Sequence, residues 1–228
     1  MRFGGVLAVN NVNFTLRERE LRCLIGPNGA GKSTLFKCLT GQHRVTHANG
    51  RVYVRGHDIA GWRPYQIVRL GVGIKTQVPS VMDGLSVREN IWLSAYRVAG
   101  SRDAGRLAAE AIDRLDLGTL AGATVGRLAH GERPRVELGL VMAARPWLVL
   151  RDEPAAGMTG EEVERMADII REINRDATVV IVEHDMQFIR AIAGLVTVFV
   201  QGAVLIEDHV DVVMSDTRVR DVYLGRKG

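Results

Sequence analysis

The chain has 228 residues, of which 46% are hydrophobic and 25% are charged, a balance that is typical of a folded globular domain and excludes a disordered chain. Its longest apolar run, residues 192–200, is about half the roughly 18 residues that a membrane span requires, and no apolar stretch of signal-peptide length opens the chain. The net charge of +4 comes from 30 basic and 26 acidic residues without a Lys/Arg tract, so charge alone does not indicate a nucleic-acid partner.

The first third of the chain alternates short strands with a helix. Leu21–Ile25 is a short apolar run that ends in a glycine-rich turn, and Lys32–Leu39 then has the pattern of a helix that ends at Gly41. Val and Tyr residues between glycine-containing turns predict a further strand over residues 51–54.

Helical spacing dominates the middle third of the chain, and strands return after it. Apolar residues recur at helical intervals over residues 86–145, whereas residues 147–150, Thr178–Val182 and Leu195–Val200 are short apolar runs that suit buried strands. An amphipathic helix over residues 161–173 separates the first two of these strands. Because a strand, a helix and a strand of this length form a βαβ unit, we predict an α/β fold with a parallel sheet and a helical insertion.

A glycine-rich motif of the form Gly-x4-Gly-Lys-Ser joins the first long strand to the first helix. Its glycines let successive backbone amides point inward at phosphate oxygens, and the helix N-terminus adds unpaired N–H groups and a favourable dipole. Lys32 supplies a positive charge to the β- and γ-phosphates of a nucleotide, and the Ser33 hydroxyl is suited to Mg²⁺. The predicted phosphate-binding residues are Gly26, Pro27, Asn28, Gly29, Ala30, Gly31, Lys32, Ser33 and Thr34.

An acidic pair, Asp152 and Glu153, follows the apolar strand at residues 147–150. A phosphate loop needs a second acidic site for its metal ion, and we expect Asp152 to hold Mg²⁺ through water. Glu153 is then predicted to act as the general base that polarises the attacking water.

At this point the sequence resembles the ATP-binding-cassette family over nearly its whole length. Leu128-Ala129-His130-Gly131-Glu132 stands in the place of the signature Leu-Ser-Gly-Gly-Gln of that family, and residues 155–158 occupy its D-loop. Gln77 falls at the Q-loop, which the resemblance implies takes part in catalysis and in binding Mg²⁺. His184 matches the switch histidine, and Phe3 matches the aromatic residue that stacks on adenine.

The resemblance implies a P-loop ATPase cassette with a parallel core sheet, a small antiparallel β part and a helical subdomain. The whole chain, residues 1–228, forms one ATPase domain in this interpretation, with its core at about residues 1–77 and 147–228 and the helical subdomain at about 78–146. ATP and Mg²⁺ are the implied cofactors. The signature residues Ala129, His130, Gly131 and Glu132 are expected to face ATP held by a second ATPase subunit, either identical or paralogous.

The finer resemblance is to the ATP-binding subunits of branched-chain amino acid and urea importers. The opening residues 3–12, the segments 153–159 and 182–186 and the ending Val222-Tyr223-Leu224-Gly225 are all similar to theirs, and residues 75–81 with 128–131 lean towards the urea branch. Such a subunit sits beneath two membrane permeases on the cytoplasmic face of the inner membrane, in a system with a solute-binding protein and without nucleic acid. The reduced setting agrees with two cysteines, Cys23 and Cys38, outside any metal-ligand spacing.

The alternative is a non-transport cassette ATPase that acts on DNA or the ribosome. Those proteins usually carry two cassettes in one chain or a long coiled-coil insertion. One cassette and no sustained heptads occur in this sequence, which favours the transport ATPase.

Four features depart from the family pattern. Ala129 and His130 replace Ser-Gly in the signature, and Pro134 requires the following helix to begin near Gly131. The chain starts almost at Phe3, so we expect an edge strand of the antiparallel part to be missing. Arg151 occupies a normally aliphatic strand position, where its side chain must find a carboxylate, turn to solvent or strain the strand. Because an unpaired buried cation is costly, we predict that Arg151→Leu raises thermal stability and leaves ATP hydrolysis equal or faster.

Overall fold

A six-stranded sheet forms the centre of the molecule in a computed structural model that describes residues 1–45, 50–75, 81–129 and 131–224. The strands are β1 (Arg2–Phe3), β2 (Val6–Leu7), β3 (Leu21–Ile25), β4 (Tyr53–Val54), β5 (His57–Asp58), β6 (Val72–Lys75), β7 (Leu148–Asp152), β8 (Thr178–Val182), β9 (Leu195–Val200) and β10 (Ala203–His209). The α-helices are α1 (Lys32–Leu39), α2 (Pro64–Arg69), α3 (Val87–Arg114), α4 (Arg133–Ala143), α5 (Gly160–Asn174), α6 (Met186–Ile192), α7 (Val210–Ser215) and α8 (Thr217–Leu224).

The strand order in the central sheet is β10-β9-β3-β8-β7-β6. Strands β9, β3, β8, β7 and β6 are mutually parallel, as the βαβ pattern predicts, and β10 is an antiparallel edge strand that follows β9 through a tight turn. Because parallel strands end at one edge of the sheet, the segments that follow β3, β7 and β8 lie side by side. The predicted phosphate loop, the acidic pair and the segment of His184 all stand at this edge.

Side-chain alternation divides the core into two clusters, one on each face of the sheet. Cys23 of β3, Val149 of β7 and Ile181 of β8 pack with α3, α4 and α5 on one face, which we call the insertion face. Leu24 and Leu150 point to the other face, which we call the loop face, where Phe36 of α1 also packs. All five residues of β3 and all five of β8 are buried, which explains why both strands are mainly apolar in the sequence, with Arg22 in β3 and Thr178 in β8 as the polar exceptions.

The middle of the chain is helical, as predicted, but it is not one continuous helix. A capping box between Ser86 and Glu89 starts α3, which is interrupted where Gly100 has a non-helical backbone. Two short 3₁₀ turns then lead to α4, which packs along α3. Among the described helices, none combines the length and apolarity needed to span a membrane.

The antiparallel part consists of two small two-stranded pairs outside the central sheet. Strand β1 pairs with β2, and β4 pairs with β5. The predicted strand over residues 51–54 is therefore shorter than expected, because only Tyr53–Val54 pairs. The three-layer arrangement of helices around a mainly parallel sheet, with this antiparallel part, confirms the predicted fold class.

Candidate nucleotide-binding site

The glycine-rich motif connects β3 to α1 through a loop that only glycine can form at two positions. Gly26 and Gly31 have φ angles of 145° and 104°. A Cβ atom would lie 2.2 Å from the Phe199 carbonyl oxygen at Gly26, and 2.2 Å from the Ala8 carbonyl oxygen at Gly31. The backbone is thus wrapped tightly between the β9–β10 turn and the N-terminal segment, with Gly31 as an N-cap that brings no side chain over the first turn of α1.

Lys32 lies in the curve of this loop. Its ammonium Nζ donates to the carbonyl oxygens of Gly26 at 2.5 Å and of Pro27 at 3.0 Å. Burial lowers the pKa of Lys32, and the negative charges of Glu153 and Asp152 oppose that shift. The loop therefore presents a positive charge that faces two carboxylates, which is the arrangement that a phosphate group and its metal ion require.

Asp152 ends β7 at the same edge of the sheet. Its Oδ1 atom is buried and has no hydrogen-bond partner within the described residues. Burial, followed by the charge of Glu153, raises the pKa of Asp152 to about 6. An unpartnered carboxylate oxygen of this kind fits a hard divalent cation such as Mg²⁺, and Ser33, exposed in the first turn of α1, offers a second oxygen of the same chemistry.

Glu153 and His184 face each other from the ends of neighbouring strands. His184 Nδ1 lies 3.7 Å from Glu153 Oε1, and the side chains are 61% and 32% exposed, respectively. The Glu153 amide donates to the Val182 carbonyl at 2.9 Å. The residue has a left-handed backbone with φ of 46°, an uncommon conformation that persists where surrounding contacts fix it. A carboxylate and an imidazole are thus brought together at the edge of the sheet where the glycine-rich loop stands.

Glu183 belongs to the same strand end and was missed by the sequence analysis. It is buried to 1% exposure and accepts hydrogen bonds from the backbone amides of Ala155, His184 and Asp185. A charged residue directly after an apolar strand was the available signal, because a buried carboxylate requires partners.

The signature segment precedes α4 and contacts α5. The Ala129 amide donates to Glu132 Oε2 at 2.8 Å, and a Cβ atom at Gly131 would overlap the carboxylate of Glu162. Helix α4 begins at Arg133, two residues beyond the start expected near Gly131. Pro134 consequently stands in the first turn, where its missing N–H has no helical partner to lose.

For three predicted site residues, the structure does not describe the side chain. Gln77 and His130 lie outside the described residues. Phe3 is placed on β1, but its predicted stacking side chain lies outside the described part of the chain. The N-terminal segment does reach the phosphate loop, because the Ala8 carbonyl abuts Gly31 and the Asn10 amide donates to Gly202 at 2.7 Å.

Arg151 corrects one expectation of the sequence analysis. Of the alternatives left open for Arg151, the structure shows the carboxylate partner: the side chain is buried on the insertion face, and its Nη1 atom lies 3.8 Å from Oε2 of Glu137 on α4. Burial lowers the pKa of Arg151, and Glu137 and then Glu183 oppose that effect. The cation therefore has a buried carboxylate partner, which was not visible because Glu137 stands on a separate element. The basis for expecting Arg151→Leu to raise stability is thereby removed.

Comparison with known proteins assigns the family. The family model described as "ABC transporter" matches residues 9–156. The chain is 33% identical to the high-affinity branched-chain amino acid transport ATP-binding protein BraF of Pseudomonas aeruginosa, and 34% identical to LivG of Salmonella typhimurium; each match covers 99% of this chain and 94% of the relative. It is also 33% identical to the methionine import ATP-binding protein MetN of Mesorhizobium japonicum, over 94% of this chain and 60% of that protein.

Solved structures agree with the fold. A crystal structure of the ADP conformation of MJ1267, an ATP-binding cassette of an ABC transporter, has a TM-score of 0.89 at 24% identity and covers 99% of this chain and 96% of that one. A dimeric post-hydrolysis structure of the cassette MJ0796 bound to ADP and Pi has a TM-score of 0.78 at 22% identity, covering 92% and 94% of the two chains. The chain belongs to the ABC transporter family and is an ATP hydrolase of the transport-coupled kind.

Proposed function

We propose that this protein is the ATP-binding and hydrolysing subunit of an importer for branched-chain amino acids. The observation that carries the proposal is similarity to BraF and LivG over 99% of this chain and 94% of theirs, joined to a phosphate loop that faces Asp152 and Glu153. The urea branch, towards which residues 75–81 and 128–131 lean, stays a prediction, because the reported relatives are named for amino acid transport.

The proposed division of roles follows from where each group stands. Lys32 binds the β- and γ-phosphates together with the amides of the loop, residues 26–34. Ser33 and Asp152, with Gln77 from the Q-loop, hold Mg²⁺, which neutralises charge on the phosphate oxygens when bound. Glu153 takes the proton of the attacking water, since its carboxylate lies beside the loop with a third of its surface open.

His184 interacts with the γ-phosphate, and Phe3 stacks on the adenine. The signature residues 129–132 complete the site of a second ATPase subunit, an identical copy or a paralogue. A dimeric cassette structure with ADP and Pi supports this assembly for the fold.

The partners of the dimer are two membrane permeases, with a solute-binding protein in the full system and no nucleic acid. The subunit is then a peripheral protein on the cytoplasmic face of the inner membrane. We propose that residues 78–146 form the helical subdomain of the cassette and that the core comprises residues 1–77 and 147–228. Closure and reopening of the ATPase dimer would move the permeases between their two states.

Mg²⁺-dependent ATP hydrolysis by wild-type protein and Glu153→Gln tests the assigned roles. The amide is nearly isosteric but cannot act as a base, so we expect ATP binding to persist while hydrolysis stops. Glu164→Gln, on the exposed side of α5, is the matched control and should hydrolyse ATP at the wild-type rate. Wild-type turnover by Glu153→Gln would remove Glu153 from its role.

The solute is tested separately, in vesicles that contain this subunit and the permeases that co-purify with it. ATP-driven uptake of radiolabelled leucine, with the matching binding protein present, is the expected result. Uptake of urea in place of leucine would overturn the proposed solute class and leave the ATPase assignment intact.

A further inference from the structure

Glu183 uses both of its carboxylate oxygens inside the protein. Oε1 accepts from the Ala155 amide at 3.0 Å, and Oε2 accepts from the amides of His184 at 2.7 Å and Asp185 at 3.2 Å. The residue is 1% exposed, so these bonds replace water. Hydrogen bonds to an ionised acceptor are roughly twice as strong as neutral ones, which makes this carboxylate a firm anchor for three backbone groups.

The anchored groups belong to the two segments that carry the proposed base and the switch histidine. Ala155 stands two residues after Glu153, in the segment that follows β7, and His184 begins the turn that follows β8. The Glu153 amide is itself bonded to the Val182 carbonyl, on the other side of Glu183. One side chain therefore joins the two strand ends from which Glu153 and His184 face each other at 3.7 Å.

The carboxylate points to the insertion face, away from the phosphate loop. Alternation along β8 directs Glu183 to the side of Ile181, where Cys23 and Arg151 also lie. Consistent with this position, Glu183 adds to the effect of burial in raising the pKa of Cys23, and it opposes the lowering of the Arg151 pKa. Its Oε2 atom also lies 3.5 Å from Nδ1 of His184, so Glu183 acts on the site through the backbone and through the imidazole, and it does not require contact with nucleotide.

We propose that Glu183 is a positioning residue for ATP hydrolysis, because its carboxylate fixes the backbone after Glu153 and the turn of His184 in one relative arrangement. This inference rests on the roles proposed above for Glu153 and His184. A neutral amide cannot replace it, since the NH₂ group of a glutamine would meet at least one of the backbone N–H donors.

The test is Glu183→Gln, with Glu164→Gln on the exposed side of α5 as the matched control. We expect kcat for ATP to fall between about tenfold and a hundredfold, the range that a displacement of roughly 1 Å produces. The dissociation constant for ADP should change less than about threefold, because the phosphate loop is untouched. The control should retain the wild-type kcat, and a wild-type kcat for Glu183→Gln would overturn the proposal.

A double-mutant cycle with His184→Ala separates positioning from general destabilisation. If Glu183 acts by orienting these segments, Glu183→Gln lowers kcat much less in the His184→Ala background than in the wild type. Equal losses in both backgrounds would overturn the proposal. Glu183→Asp, which keeps the charge but is one methylene shorter, replaces the amide variant if the latter does not bind ADP, and the same two outcomes apply.

The same assay distinguishes a failure of the proposed role of Glu153 from a failure of the proposed role of Glu183. Wild-type turnover by Glu153→Gln contradicts the proposed base, whatever Glu183→Gln does. Loss of turnover in Glu153→Gln together with full turnover in Glu183→Gln contradicts only the positioning role.

Discussion

Replacing Arg151 by leucine should destabilise the protein, because the substitution removes a buried cation that faces the buried carboxylate of Glu137. The side chain is 5% exposed, and its Nη1 atom lies 3.8 Å from Glu137 Oε2; Glu183 also opposes the lowering of the Arg151 pKa. Removal of one partner from a buried pair typically costs about 3–5 kcal/mol. For a chain of this size, each kcal/mol shifts the melting temperature by about 2–4 °C, so the expected fall is on the order of 10 °C.

The poor pairing of Arg151 itself opposes this loss of stability. Its Nε and Nη1 atoms have no hydrogen-bond partner within the described residues, so leucine also removes an imperfectly satisfied cation. We expect the loss at Glu137 to outweigh this gain, since the carboxylate cannot leave its position on α4. The double variant Arg151→Leu/Glu137→Leu should recover most of the lost stability, because replacing both members of a buried pair by apolar residues is often neutral or favourable.

Thermal melts of the four proteins of this cycle, at one pH and without nucleotide, measure the coupling between the two positions. A single variant Arg151→Leu that melts at or above the wild-type temperature would refute the ion-pair reasoning. It would also restore the interpretation of Arg151 as a liability of the strand. The matched control is Arg175→Leu, which removes an exposed arginine paired with Glu172 and should change the melting temperature little.

Lys32→Ala should weaken ATP binding about 10–100-fold, the equivalent of a charged hydrogen bond of roughly 1.5–3 kcal/mol, and a nucleotide titration at wild-type affinity would contradict the phosphate-loop assignment. Asp152→Asn should raise the melting temperature of the nucleotide-free protein at pH 7.5. The folded pKa of about 6 lies above the ordinary value of 3.8, so the folded state loses stability as pH rises through this interval, and the gain should disappear near pH 4. Gly31→Ala should lower both stability and nucleotide affinity, because its Cβ meets the Ala8 carbonyl, whereas Gly160→Ala meets open space and should behave as wild type.

Strands buried on both faces were the elements that the sequence predicted best. Leu21–Ile25, Thr178–Val182 and Leu195–Val200 have the predicted bounds, because short, mainly apolar runs leave few alternatives. The small elements were not predicted: β6 is four residues long and β1, β2 and β5 are two residues each. Such short pairs owe their structure to tertiary contacts more than to local propensity.

The candidate site likewise contains residues that local motifs predict and contacts that depend on the tertiary structure. The phosphate loop and the acidic pair are local motifs, so their residues could be named from spacing, and the structure brings Lys32, Asp152 and Glu153 together at one edge. The ion pair of Arg151 with Glu137 and the hydrogen bond between Glu183 and the Ala155 amide join separate elements of the fold. Sequence spacing carries no information on such contacts, because they depend on how α4 packs on β7 and on how β7 lies beside β8.

The register of β7 beside β8 explains how the ends of these two strands carry both buried charges and residues of the candidate site. Along β7, Arg151 points to the insertion face and Asp152 to the loop face; the neighbouring β8 is continued by Glu183, on the insertion face, and then by His184. Because the side-chain period of a strand is two, a slip of one residue would exchange these faces and bring Arg151 to the phosphate loop in place of Asp152. The buried charges on the insertion face therefore act against such a slip: Arg151 faces the carboxylate of Glu137 there, and the hydrogen bond from the Ala155 amide to Glu183 depends on the observed register.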